Sequence, residues 1–170
     1  DPDARIAAAE NLIRKFADTE FKGLALYLAT ESAREKNDTE KVLLYGERTL
    51  EADPKNYATM LILAQTIASR VREHDFDKEE NLGKAEKHAN SAMELLKTAP
   101  KMNPQLPDEQ WAQAKKDFES QGLQALGMVA NVRKKYDVAV GHFKQAIELN
   151  GDPVTMVRLG QTYNMATKYD

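Results

Sequence analysis

The residues best suited to acid–base or metal chemistry are the histidines His74, His88 and His142. They stand on or near three different helical stretches, and none has a second ligand at metal spacing such as His-x-x-x-His. Asp75, Asp77, Glu79 and Glu80 gather around His74. A metal-assisted site would have to be built there, but exposed loop charge is the simpler reading. His88 and His142 read as partly exposed surface residues beside buried helix positions. The sequence has no cysteine, which excludes disulfides, thiol catalysis and Cys-ligated zinc or iron–sulfur centres. Gly122, Gly127 and Gly141 follow no strand and form no phosphate loop, so close helix approach is their expected role. Serines and threonines are scattered without a nucleophile-elbow motif. No catalytic residue, metal site or cofactor is expected, and the chain does not read as an enzyme.

A net charge of −3 argues against a nucleic-acid-binding surface. The densest basic run, Arg133-Lys134-Lys135, suits a helix C-terminus, where the macrodipole favours cations. Hydrophobic residues at 42% and charged residues at 30% describe an ordinary globular mix, with no disorder signature. No apolar run approaches the roughly 18 residues of a membrane span, so membrane insertion is not expected.

The elements that would position any site announce themselves by repetition. Setting 120–137 against 153–170 pairs Leu126 with Leu159, Gly127 with Gly160 and Asn131 with Asn164, and Lys135-Tyr136-Asp137 with Lys168-Tyr169-Asp170. The offset is constant, 160 − 127 = 33 residues. That is helix-pair length, and such a period means stacked units rather than one closed core.

Eight helical stretches and no convincing strand can be read. The first, 3–17, carries Ile6, Ala9, Ile13 and Phe16 as an apolar stripe. The second, 20–36, places Leu24, Leu28 and Ala33 on one side. The third, 39–52, has Val42, Gly46, Thr49 and Ala52, small residues that allow close approach. The fourth, 57–72, buries Met60, Leu63, Ala64 and Ile67. The fifth, ending near 98, starts on an Asp77/Glu80 capping box and carries Ala85, Ala89, Ala92 and Leu95. Asp108 is expected to cap a long sixth helix that ends near 134. The seventh, 137–150, carries Ala139, Phe143, Ala146 and Leu149, and the eighth spans 153–168. Pro100, Pro104 and Pro107 make 100–107 an extended connector. Trp111 reads either as a lid on that connector or as an exposed partner anchor.

Leu123, Leu126-Gly127, Tyr136, Ala139, Phe143 and Ala146, followed by Met156, Leu159-Gly160, Tyr163 and Tyr169, resemble the tetratricopeptide repeat. The unit ending in Val42, Gly46, Thr49 and Asp53-Pro54 is similar in its second helix. The resemblance implies an all-α, right-handed superhelical stack of antiparallel helix pairs. Its units would be a half unit at 1–18, full units at 19–54, 55–99 and 108–152, and a half unit at 153–170. The chain departs from the family in two insertions. Ala64 to Ala85 is 21 residues against 12 from Gly127 to Ala139, and Leu95 to Gly127 is 32 against 11 from Leu149 to Gly160. They fall near 71–81 and 98–119, where they thicken one edge of the stack or carry function.

In the family, the first helices of successive pairs line a concave groove that holds a partner segment. Carried onto this chain, the groove positions are Tyr27, Glu31, Leu61, Gln65, Gln124, Met128, Asn131, Val157, Gln161 and Asn164. Their amides suit the backbone of an extended peptide. They lack the lysines and arginines of clamps for chaperone C-terminal tails, so such a tail is not expected. The expected function is a noncatalytic protein-interaction scaffold. The alternative is a self-assembling spacer joined through the open C-terminal end, where Met156, Leu159 and Tyr163 lack a covering helix. The chain begins at Asp1 without methionine and breaks off at Asp170 where a helix would start. It reads as a piece of something longer. Together with a faint likeness of its first helix to tetratricopeptide proteins of bacterial envelopes, this favours a bacterial extracytoplasmic setting over a cytoplasmic one.

Overall fold

The computed structural model of the chain describes residues 1–101 and 104–167. Among them are eight α-helices and no strand: α1 (Pro2–Lys15), α2 (Lys22–Glu35), α3 (Thr39–Ala52), α4 (Tyr57–Arg70), α5 (Lys78–Thr98), α6 (Asp108–Val132), α7 (Tyr136–Asn150) and α8 (Pro153–Ala166). Met102-Asn103 of the connector and the repeat partners Lys168, Tyr169 and Asp170 lie outside the described residues.

Short polar side chains start several of these helices by accepting backbone N–H groups that have no intrahelical partner. Asp38 Oδ1 accepts from Lys41 N at 3.1 Å, Asn56 Oδ1 from Thr59 N at 3.0 Å, and Asp152 Oδ2 from Thr155 N at 2.9 Å. Gly151 ends α7 at φ 66°, a left-handed conformation that glycine adopts at least cost. The expected capping box does not form. Asp77 precedes α5 at φ −95° and ψ 15°, close to helical values, and its side chain bonds no helix N–H. Asp108 does not cap α6; it is the first helical residue after Pro107 and pairs with Lys101 at 2.5 Å.

The helices form a stack. Packing is most extensive between α2 and α3, α4 and α5, and α6 and α7, and each pair also touches the next. Buried apolar residues fall into separate clusters along the stack, from Ile6, Ala29 and Tyr45 at one end to Ala130, Ala139 and Phe143 near the other. Contacts are therefore made with neighbours only, the organisation of a solenoid. The seams are rich in alanine: Ala29, Ala33, Ala64, Ala85, Ala89, Ala92, Ala125, Ala139 and Ala146 are fully buried. Small side chains bring helix axes together. At Gly46 and Gly127 the approach is closest: an added Cβ would lie 2.6 Å from Leu63 Cδ2 at the first and 2.6 Å from Phe143 Cε1 at the second.

Several expected core positions are placed otherwise. Phe16 is 60% exposed because α1 stops at Lys15 and Phe16, at φ −136°, leaves the apolar stripe. Leu24 and Leu28 are exposed, because α2 turns its narrower face of Ala25, Ala29 and Ala33 inward. Ala52, the last residue of α3, is exposed. Trp111 is buried, with the Lys115 ammonium 5.6 Å from its ring centroid, so it is not an exposed anchor.

Among the described residues, two buried side-chain oxygens have no partner, Asn131 Oδ1 and Thr59 Oγ1. Thr59 is fully enclosed at the start of α4 and its hydroxyl makes no hydrogen bond. Thr59→Val keeps the shape and removes a desolvated polar atom. It should raise stability by about 1–2 kcal/mol in urea denaturation. Thr49→Val should give no such gain, because the Thr49 hydroxyl donates to Tyr45 O at 2.7 Å.

Candidate functional site

A cleft of about 260 Å³ opens where α4, α6 and α8 meet. Ala68, Ser69 and the following Val71 and Arg72 form one wall, Met128, Asn131 and Val132 of α6 the second, and Arg158 and Gln161 of α8 the third. Phe143 reaches the cleft from α7. Three alternate helices thus converge on one opening. Its walls are apolar at depth and polar at the rim, as partner-binding surfaces commonly are.

Hydrogen bonds hold each wall. The Arg72 guanidinium donates to Ser69 O at 3.2 Å, across the C-terminal end of α4. The Arg72 backbone N–H donates to Asp75 Oδ2 at 2.7 Å and shapes the turn that follows. At the start of α8, the Thr155 hydroxyl donates to Asp152 Oδ2 at 2.6 Å. That bond is the main reason the Asp152 carboxyl stays below its usual range, with the Thr155 and Val154 N–H groups and Arg158 adding to it against a cost from burial.

Asn131 is fixed by a chain of donors. The Thr162 hydroxyl donates its single proton to Arg158 O at 2.8 Å. It must then accept from Asn131 Nδ2, at 2.8 Å. This orients the amide and leaves Asn131 Oδ1 buried with no donor. Nearly all buried acceptors in folded proteins are satisfied, so this atom is an exception that invites a donor.

The charges around the cleft are unevenly paired. Arg133 is held by Glu79 at 3.0 Å and Glu86 at 2.9 Å. Among the described residues, Arg72 and Arg158 make no ion pair.

Of the positions expected to line a groove, Met128, Asn131 and Gln161 come together here. Val157 and Asn164 lie exposed on α8 without lining the cleft. Gln65 bridges helices instead, donating to Gln121 O at 3.3 Å. Tyr27 and Glu31 lie on α2, away from the cleft. Burial and then the Glu31 carboxylate raise the Tyr27 hydroxyl above its usual pKa, and Glu31 pairs with Arg34 at 2.8 Å. Two positions are not on the surface at all. Leu61 is fully buried where α6 closes at Gly122 onto α5 and α4, an added Cβ lying 2.8 Å from Met93 Sδ and 3.4 Å from Leu61 Cδ2. Gln124 is buried because it turns toward α7, donating to Ser120 Oγ at 3.3 Å, whose oxygen lies 3.1 Å from Ala146 O.

No family model matches this chain, and no curated protein matches it.

A larger cleft of about 570 Å³ lies between α5 and α6. Its charged groups are largely engaged already: Lys97 pairs with Glu94 at 2.5 Å and Lys115 lies over Trp111. Among the described residues, no His, Asp and Glu cluster could hold a metal ion, and no helix is long and apolar enough to cross a membrane. Burial lowers the pKa of both His88 and His142.

Sequence reasoning missed Ser69, Arg72 and Arg158. The repeat held a signal for one of them. Arg158 stands opposite Ala125, 158 − 125 = 33, so a fully buried alanine of one unit is a charged residue in the next. No periodicity singles out Arg72, which acts from a turn.

Proposed function

We propose that this protein is a noncatalytic interaction module of tetratricopeptide type, which holds an extended partner segment where α4, α6 and α8 converge. The observation that carries this reading is the buried, donorless Asn131 Oδ1 at an opening lined by three alternate helices. A backbone N–H of an extended chain supplies the missing donor without requiring one side-chain sequence. Gln161 at the rim adds a donor and an acceptor. A photo-crosslinking residue at Gln161 should give discrete adducts in the native host that disappear when Asn131→Leu is added. Crosslinking from the exposed position Leu44 serves as the control. Adducts at Gln161 that persist in the Asn131→Leu background would place the contact surface elsewhere.

A second reading rests on the open face of α8. Met156, Val157 and Tyr163 are 49%, 61% and 43% exposed, whereas Gln124 and Ala130, which match Val157 and Tyr163 at the 33-residue offset, are buried. Such a patch favours self-association. Light scattering over a concentration series should then show oligomers that Val157→Asp dissolves; a strictly monomeric species at all concentrations removes this reading.

A further inference from the structure

We infer that the cleft between α4, α6 and α8 selects an acidic segment, seating a side-chain carboxylate between Arg72 and Arg158 while a neighbouring backbone N–H bonds Asn131 Oδ1. The inference rests on the segment-binding reading above and adds the chemistry of the segment. Both arginines line the cleft, and among the described residues neither makes an ion pair, Arg158 acting on Asp152 only through space. Asp75 and Asp152, close to the two arginines in the chain, have hydrogen bonds of their own. Asp75 Oδ2 accepts the Arg72 backbone N–H, and Asp152 accepts from Thr155 and Val154. Arg133, by contrast, carries two glutamates on one guanidinium. A guanidinium presents several N–H donors in a fixed plane that matches a carboxylate. Phe143, Met128 and Val132 add apolar lining beside the two guanidinium groups. The fit is to a carboxylate within a segment, since the donorless acceptor beside the arginines calls for a peptide N–H.

The test is fluorescence anisotropy on the whole chain with labelled oligo-glutamate, oligo-glutamine and oligo-lysine peptides. Oligo-glutamate should bind, weakening as salt rises. Arg158→Gln should weaken it roughly tenfold, the usual effect of losing one charged hydrogen bond. The Arg72→Glu/Arg158→Glu double variant should lose oligo-glutamate and gain oligo-lysine. Both side chains are at least partly exposed, and circular dichroism checks that the helices persist. If oligo-glutamine binds as tightly as oligo-glutamate, the acidic preference is wrong while segment binding stands. If oligo-glutamate fails to bind, or binds equally well to the charge-reversed variant, the inference is overturned. The Gln161 crosslink then decides the broader reading separately.

Discussion

Gly127→Ala is expected to destabilise the protein and Gly160→Ala to stabilise it, although the two glycines hold the same place in a repeated Leu-Gly step. In a helix interior, alanine is favoured over glycine by about 1 kcal/mol through backbone entropy. That gain applies at both positions. At Gly160 nothing lies within 4 Å of the added Cβ, so the gain is kept. At Gly127 the methyl would meet Phe143 Cε1, Cζ and Cδ1 at 2.6, 2.7 and 2.8 Å. All three are atoms of one rigid ring, and Phe143 is fully buried, so the ring cannot swing into solvent. Overpacking of this kind costs about 1–3 kcal/mol, and three contacts below 3.0 Å put Gly127 at the upper end. The net loss should be about 1–2 kcal/mol, against a gain of roughly 0.5–1 kcal/mol at Gly160. Urea denaturation of the two variants beside the parent chain measures both. Equal effects of the same sign would mean that the α6–α7 seam is looser than the packing of Phe143 on Gly127 describes.

Phe143→Ala should have the larger effect, a loss of about 3–5 kcal/mol. Phe143 is fully buried and packs with Ala130 and Ala139. Its ring fills the notch above Gly127, and a glycine and two alanines cannot move in to refill the space. Each helix pair of a stack touches only adjacent pairs, so loosening the α6–α7 seam also loosens the seat of α8, which packs on α7 and is bonded to α6 through Asn131 and Thr162. The variant should therefore show a melting temperature lower by about 2–4 °C per kcal/mol lost, with amide exchange fastest in the last three helices. The same ring lines the cleft, so segment binding should fall with stability. Phe16→Ala and Phe21→Ala are the controls: at 60% and 55% exposure, their loss should change stability little.

How much of this was legible before the structure depends on which contacts set each feature. Helix positions follow from local signals such as Asp38, Asn56, Asp152-Pro153 and the Gly151 turn, and they lie where the residues place them. The inward faces of α3, α4 and α7 were legible because small or branched residues recur at helical spacing. The face of α2 was misread because Leu24 and Leu28 look like core, and only the close fit of Ala25, Ala29 and Ala33 decides the matter. The candidate site was legible in part. Met128, Asn131 and Gln161 sit where a stack of first helices would put them. Leu61 and Gln124 do not, because α6 closes at Gly122 onto α5 and α4 and Ser120 draws Gln124 toward α7.

By itself, the amino-acid sequence determined an all-α chain of eight helices, its period of 33 residues, and the absence of any thiol or clustered histidine chemistry. These follow from composition and from neighbours within a few turns, which a linear reading can see. Only the tertiary structure decided which of two matching glycines is clasped, which amides face a cleft, and that Arg72 and Arg158 share it with no ion pair among the described residues. Those depend on residues tens of positions apart, whose distance is set by how closely small side chains let the helices pack.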